Sequence, residues 1–440
     1  MRITIIGTGY VGLVTGVCLA EIGHKVFLHD INQEKIKLLK SKKIPIHENG
    51  LLKLFKKHLE AKNLRIESDP NEALQASNIY FICVGTPQLR NGKPNLRYLF
   101  DISNKIKDYI DKNKLNNNTF IVLKSTIPPG TTKELQTRIF KKDIYKNVYL
   151  GSNPEFLREG NAVYDFMNSE RIVIGSESKE FIRTLKKLYS PLSKKSKIFI
   201  TDPQSSELIK YGSNAFLATK ISFINEMSKL SDKVGGNIDD VSQGIGMDKR
   251  IGNEFLNAGL GYGGSCFPKD TRGLAYTFSK NKIPSKIIQS VIDINNKQRK
   301  YFFNKILKRF SKQELKSKSV LFLGTAFKPN TDDIRESVGI YLINMISPMV
   351  KNILIFEPIA KENSINALSK LNNVRFQKTS ISKIDYDCDF MIIATEYPEF
   401  IKIPHKNLRK LKDRVVFDGR NILNREKLEK NGIEYIGIGK

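Results

Sequence analysis

The chain has 440 residues, with 73 lysines and arginines against 45 aspartates and glutamates, a formal net charge of +28. A hydrophobic share of 40% and a charged share of 27% exclude wholesale disorder and a fibrous repeat, and the length predicts two or three domains at about 150 residues each. Cys18, Cys83, Cys266 and Cys388 stand far apart with no C-x-x-C pair, which argues against a zinc ribbon or a disulfide framework and points to a reducing, cytoplasmic setting.

Arg2 to Ile6 reads as a strand, then a glycine turn, then a helix through Cys18 to Ile22. Gly7, Gly9, Gly12 and Gly16 interrupt the apolar run and Glu21 follows it, so the segment does not read as a secretory leader. Lys25 to His29 is a second strand, ending at Asp30. Gly7-Thr8-Gly9-Tyr10-Val11-Gly12 fits G-x-G-x-x-G between strand and helix. Such glycines allow a tight turn and close approach of a pyrophosphate to the helix N-terminus. Asp30 can bind a ribose 2′-hydroxyl and would repel a 2′-phosphate, which favours NAD over NADP. Further strands end at Gly85-Thr86-Pro87 and at Lys124-Ser125-Thr126. Strands ending in small, turn-forming residues predict a parallel sheet with its loops at one edge.

Asn153-Pro154-Glu155-Phe156-Leu157-Arg158-Glu159-Gly160 sets two carboxylates four apart, either as turn and cap chemistry or as part of a site. From Ser205 to about Val234 apolar residues recur at helical spacing with no proline, predicting one long helix closed by Gly235-Gly236. Lys210 and Asn214 share a face of it, as a solvated polar stripe or as partners for an alcohol or oxyanion oxygen. Gly261-Tyr262-Gly263-Gly264-Ser265-Cys266-Phe267-Pro268-Lys269-Asp270 allows tight folding around a ligand. Pro268 suits a first helical turn, so Cys266 is expected near a helix N-terminus, where a thiolate is favoured. Cys18 and Cys83 lie in apolar runs and read as buried hydrophobes. A second helical region surrounds Ser285 to Phe310. After Lys318 strands recur at Ser319–Leu323, Asn352–Phe356, Phe390–Ala394 and Val415–Phe417, giving a second parallel-sheet domain. All five histidines fall outside these motifs, so a histidine triad or a metal cluster has no support. The lysines are dispersed, which reads as a solvated basic surface in preference to a nucleic-acid face.

These motifs, with STIPPGTT at 125–132, KYGSNAFLATKISFINE at 210–226, FKPNTDDIRES at 327–337, TEYPEF at 395–400 and FDGRN at 417–421, resemble the UDP-glucose/GDP-mannose dehydrogenase family over essentially the whole chain. GGSCFPKD and NPEFLREG are most similar to its UDP-glucose branch. Gln88 departs from a hydroxyl residue after GTP, and Tyr397 stands where tryptophan is common. The resemblance implies two Rossmann-like, doubly wound parallel-sheet domains joined by a long central helix and helical region: an NAD-binding domain over 1–202, a central dimerisation region over 203–312 and a UDP-sugar-binding domain over 313–440. It implies NAD-dependent four-electron oxidation of UDP-glucose to UDP-glucuronate for polysaccharide synthesis, through a Cys266 thiohemiacetal and thioester. GDP-mannose or a UDP-N-acetylhexosamine is the alternative substrate. A non-catalytic NAD-sensing or nucleic-acid-binding protein is the alternative of another class.

The roles implied by the same resemblance are specific. Asp270 is the base acting with a water, Lys210 and Asn214 stabilise the oxygen, and Thr126 and Glu155 position the water. Glu159 stands on the nicotinamide side. Contacts to NAD fall to Gly7, Gly9, Val11, Gly12, Asp30, Lys35, Thr86 and Thr126, with Glu159, Lys269 and Arg335. The UDP-sugar falls to Glu155, Phe156, Leu157, Arg158 and Glu159, with Lys210 and Asn214, and to Phe255, Leu256, Asn257, Ala258, Gly259 and Gly263, with Lys328 and Arg420. Arg250 resembles an arginine sent into the neighbouring subunit's site, which implies a homodimer.

Overall fold

A computed structural model describes residues 1–377 and 384–440. They form two compact units, Met1–Ser213 with Tyr276–Lys282, and Asn214–Ala275 with Ile283–Lys440.

The first unit is built on an eight-stranded sheet of order β3-β2-β1-β4-β5-β6-β7-β8. Its strands are β1 (Arg2–Ile6), β2 (Lys25–His29), β3 (Leu64–Ile66), β4 (Ile79–Ile82), β5 (Thr119–Leu123), β6 (Val148–Ser152), β7 (Arg171–Gly175) and β8 (Lys197–Thr201). Alternate residues enter two cores. Ile5, Phe81 and Val122 point to one, and Tyr80, Ile82, Ile121 and Leu123 to the other. Both faces are therefore buried, which is why these strands read as near-continuous apolar runs. Strand order reverses between β1 and β4, so the loops leaving those strands gather at a switch point, where α/β sheets bind ligands. All pairings are parallel except β6 with β7, which meet antiparallel at Ser152 and Gly175.

The second unit carries a six-stranded, wholly parallel sheet of order β11-β10-β9-β12-β13-β14. Its strands are β9 (Ser319–Leu323), β10 (Asn352–Phe356), β11 (Val374–Phe376), β12 (Phe390–Ile393), β13 (Val415–Asp418) and β14 (Glu434–Ile436). Val320, Phe322, Phe390, Ile392 and Phe417 fill one core, and Leu321, Leu323, Met391, Ile393 and Val416 the other. The predicted long helix spans Pro203–Val234, and the second helical region is a helix over Lys286–Arg309. Two doubly wound sheets and a 32-residue central helix match the expected fold class. Among the described residues no helix is long and apolar enough to cross a membrane.

Tyr397, the departure noted in the sequence, has a structural use. Its buried hydroxyl donates to Glu357 Oε1 at 2.6 Å. Glu357 follows β10 and also accepts from the backbone N–H of Thr325, Ala326, Ile359 and Ala360. Tyr397→Phe removes one charge-assisted bond from that buried carboxyl group. Thermal or urea unfolding is expected to show a loss of about 1.5–3 kcal/mol.

Candidate active site

In the first unit the turn after β1 is shaped by its glycines. Gly7 has φ 95°, and a Cβ there would lie 2.8 Å from the Cys83 carbonyl oxygen. A Cβ at Gly12 would lie 1.8 Å from the Gly7 carbonyl oxygen, so the helix Tyr10–Glu21 can start here only with glycine. A Cβ at Gly9 meets nothing within 4 Å. Gly9 is also the N-cap and supplies no side-chain cap bond, so the backbone of the first turn is presented to an anion. Asp30, at the end of β2, accepts from Thr8 N at 2.7 Å and Thr8 Oγ1 at 2.9 Å on one oxygen, and from Asn32 N at 2.9 Å on the other. Lys35 Nζ lies 3.8 Å away. Burial opposes the Asp30 charge, but the Asn32 and Thr8 hydrogen bonds and Lys35 outweigh it and hold the carboxyl below its ordinary range. Acceptor capacity remains on the Asn32-bonded oxygen for a ribose hydroxyl, and Val11 is half-buried in the same turn. Thr86 Oγ1 donates to the Thr126 carbonyl at 2.8 Å, tying the loops after β4 and β5 together. These residues fit a dinucleotide.

The same unit holds a buried ion pair. Lys210 Nζ lies 2.8 Å from Glu155 Oε1, each side chain 5% exposed, and Glu155 Oε2 accepts from Leu157 N at 2.7 Å. Burial pushes the Glu155 carboxyl up, but the Lys210 charge and bond, the Leu157 N–H and Lys124 hold it below its ordinary range. The Phe156 ring carries the Arg171 guanidinium at 4.2 Å and Lys210 Nζ at 5.5 Å. Arg158, exposed, is held by Asp165 through its backbone N–H at 2.9 Å and two guanidinium bonds at 2.6 and 3.0 Å. Glu159 is half-buried beside it. Residues missed in the sequence fasten these loops. Buried Glu48 accepts from Gly160 N at 2.7 Å and Ala162 N at 2.8 Å. Gly160 N also reaches the Tyr10 hydroxyl at 2.6 Å. Glu207, one turn before Lys210, accepts from Gly130 N at 2.6 Å and Thr132 N at 2.9 Å. Burial raises its carboxyl to about 7 against those bonds.

In the second unit, Cys266 directly precedes the helix Phe267–Lys280, as the proline predicted, and is the one cysteine of the four that is not buried. Its sulfur lies 3.5 Å from Ser265 Oγ. Asp270, in the first turn and fully buried, accepts from Asn214 Nδ2 at 2.7 Å on one oxygen and from Lys269 on the other. Gly263 and Gly264 are required by space. A Cβ would lie 2.4 Å from the Glu336 carbonyl oxygen at the first and 2.6 Å from the Phe327 ring at the second. The segment from Phe255 to Gly259 includes Phe255 at φ 65°, buried Leu256 and Ala258, and exposed Asn257. A Cβ on Gly259 would be 3.6 Å from Arg420 Nη1, so the structure brings these two predicted residues together. Arg420 Nε also donates to the Ala394 carbonyl at 2.8 Å and is ion-paired with Glu396 at 3.0 Å, and Lys328 Nζ stands 5.5 Å from the Phe327 ring centre. Arg335 is exposed and paired with Asp333 at 2.7 Å. A buried amide clamp on this segment was not legible in the sequence. Asn225 and Gln298 hold Gly259 N and O at 2.8 and 2.9 Å, and Asn295 holds Tyr262 N and O at 2.8 and 3.1 Å.

Comparison with known proteins agrees with both halves of this geometry. Three family models match: the NAD binding domain of the UDP-glucose/GDP-mannose dehydrogenase family over residues 1–193, its central domain over 204–297 and its UDP binding domain over 321–425. The chain belongs to the UDP-glucose/GDP-mannose dehydrogenase family. Within it, the chain is 41% identical to a UDP-glucose 6-dehydrogenase of Rickettsia bellii, covering 100% of this chain and 99% of the relative. It is 39% identical to UDP-glucose 6-dehydrogenase YwqF of Bacillus subtilis, covering 100% and 98%. Its fold matches a UDP-glucose dehydrogenase from Pyrobaculum islandicum with a TM-score of 0.90 at 32% identity, covering 100% and 97% of the two chains. The family's cofactor is NAD, in accord with the glycine turn and Asp30.

Asp30→Ala is expected to raise the Kd for NAD about tenfold or more by calorimetry, through loss of a charged acceptor. The Asp30 carboxyl titrates below its ordinary value of 3.8, so its stabilising contribution is complete above that pH and is lost as pH falls through the depressed value. The variant's acid unfolding limb is correspondingly flatter.

Proposed function

We propose that this chain oxidises UDP-glucose to UDP-glucuronate with water and NAD, as a cytoplasmic enzyme supplying uronic acid for polysaccharides. The observation that carries the reading is the identity of about 40%, over the whole chain, to proteins named UDP-glucose 6-dehydrogenase. It is supported by a half-exposed cysteine at a helix start with a buried aspartate four residues on. NAD, held by the glycine turn and Asp30, would supply the hydride acceptor at the sugar C6, one molecule for the alcohol and a second for the Cys266 adduct. Asp270, acting with a water, takes the hydroxyl proton, while Lys210 and Asn214 hold the oxygen as negative charge develops. The Cys266 sulfur then adds to the aldehyde carbon. A C–S bond forms, the carbonyl pair moves to oxygen and is protonated, and a thiohemiacetal results. Its oxidised product is a thioester. Water positioned by Thr126 and Glu155 attacks that carbon, the C–S bond breaks and the thiolate returns. One UDP-glucose, two NAD⁺ and one water give one UDP-glucuronate, two NADH and three protons. Lys328 and Arg420 supply cationic contact to the diphosphate, and Glu159, Lys269 and Arg335 complete the cofactor contacts.

The reading is tested by cofactor reduction. UDP-glucose is expected to yield two NADH per sugar with no free aldehyde, ahead of GDP-mannose and UDP-N-acetylhexosamines. Cys266→Ala is expected to lose turnover by at least about a thousandfold while NAD still binds by calorimetry. One NADH per sugar, or an active variant, overturns the covalent route.

A homodimer belongs to the same proposal. Phe216, Phe223 and Leu230 recur at seven-residue spacing on the long helix and are 67%, 49% and 55% exposed. Such a stripe is the seam of paired helices. Arg250 is exposed and its guanidinium is held by Asp248 at 3.0 Å, so reaching a second copy requires it to exchange that partner. Phe223→Glu is expected to shift the mass by light scattering from two chains to one at micromolar concentration.

A further inference from the structure

The first unit buries a second lysine that the reaction above does not use. Lys124 follows β5 and is 5% exposed. Its Nζ donates to Asn153 Oδ1 at 3.1 Å and lies 3.5 Å from the Tyr189 hydroxyl and 5.8 Å from the Tyr189 ring centre. Among the described residues no acidic side chain is ion-paired with it. The Tyr189 hydroxyl donates to the same Asn153 oxygen at 2.6 Å, and Asn153 Nδ2 donates to the Val173 carbonyl at 2.7 Å. Asn153 is thereby fixed on three sides, two residues before Glu155. A cavity of about 30 Å³ is lined here by Lys124, Asn153, Glu155, Phe156 and Tyr189.

The charges around Lys124 are few. Glu155, Lys210 and Cys83 act on it electrostatically, Tyr189 faces it through the hydroxyl, and Arg171, exposed and stacked on Phe156, lines the same cavity. Burial pushes the Cys83 thiol up to about 12, with Lys124 lowering and Glu155 raising it, so Cys83 remains neutral. Burial also raises the Tyr189 hydroxyl, which remains neutral too. Two buried ammonium groups therefore stand near one carboxylate, which is ion-paired with Lys210 alone, an arrangement with a net positive charge.

We propose that Lys124 is a positioning residue for the oxidation: through Asn153 it fixes the turn that carries Glu155, and its charge keeps the Lys210–Glu155 pair net positive toward an oxygen gaining negative charge. The inference rests on the dehydrogenase reading above. Burial lowers the Lys124 ammonium to about 8 from its ordinary 10.5, despite Cys83 and Glu155. A lysine so depressed lowers stability below about pH 8, and that loss is recovered as pH rises toward 10.5. Methionine has similar length and no charge to desolvate, and Asn153 would keep its bond from Tyr189.

The test takes the full chain and its Lys124→Met variant through initial rates with NAD and UDP-glucose from about pH 6 to 10, with thermal unfolding alongside. At neutral pH the variant is expected to lose about tenfold or more in kcat, with an unchanged KM for NAD and a Tm equal to or above wild type. The wild-type kcat is expected to fall as pH rises past about 8 without a matching fall in Tm, and the variant to lack that limb. A variant with wild-type kcat, a variant whose activity and Tm fall together or that fails to fold, or a wild type without the alkaline limb each overturns the proposal. A wild type inactive with UDP-glucose but active with GDP-mannose or a UDP-N-acetylhexosamine sinks the substrate reading alone, and the same readouts are then taken with that sugar. Inactivity with all of them overturns both.

Discussion

In each sheet a carboxyl group at the end of the second strand accepts hydrogen bonds from the backbone turn that leaves the first. Asp30 does this for Thr8 at 2.7 Å, and Glu357 for Thr325. The turns are otherwise poorly determined, because Gly7 and Gly324 sit at φ 95° and 86°, where the chain has most freedom to lose. Fixing them fixes where the following helices begin. The two carboxyls differ in what they have left. Glu357 takes bonds from five residues and is saturated, and Ala326 replaces the open glycine. Asp30 takes three bonds and retains acceptor capacity beside Gly9. The same construction is saturated in the second unit and keeps acceptor capacity in the first.

Charge buried near the proposed chemistry is held by few partners. Lys210 and Glu155 face each other at 2.8 Å, and Asp270 rests on Asn214 and Lys269. Buried pairs of this kind add little to stability compared with apolar side chains of equal volume. Their presence beside glycine-shaped loops is what a reaction that moves protons and hydride demands of a fold.

The sequence made the central strands of each sheet legible because both their faces are buried and several of them, β1, β4 and β9 among them, end in glycine or other small turn-forming residues. The glycine fingerprint, Asp30, the helix start at Phe267 and the long helix all follow local rules of turn and cap. What escaped were residues whose meaning lies in long-range pairing. Asn225, Asn295 and Gln298 look like polar positions on helices, yet all are buried on the backbone of residues 259–262. Glu48 is more than a hundred residues from the Gly160 amide it holds. Lys124 reads as the end of a strand, and nothing local distinguishes it from the many solvated lysines. The antiparallel junction at Gly175 was equally hidden, since a Cβ there would lie 2.3 Å from Ser206 Cβ, a contact invisible before folding.

Glu207 and Lys210 occupy neighbouring turns of one helix but serve different loops, the segment at 130–132 and the turn holding Glu155. Each residue of an α-helix advances about 100° around its axis. A one-residue insertion or deletion between these two positions would swing one of them to the wrong side of the rod, and no side-chain replacement could restore both. The spacing Glu-x-x-Lys is thus a ruler as much as a motif, because one rod sets the distance between two loops.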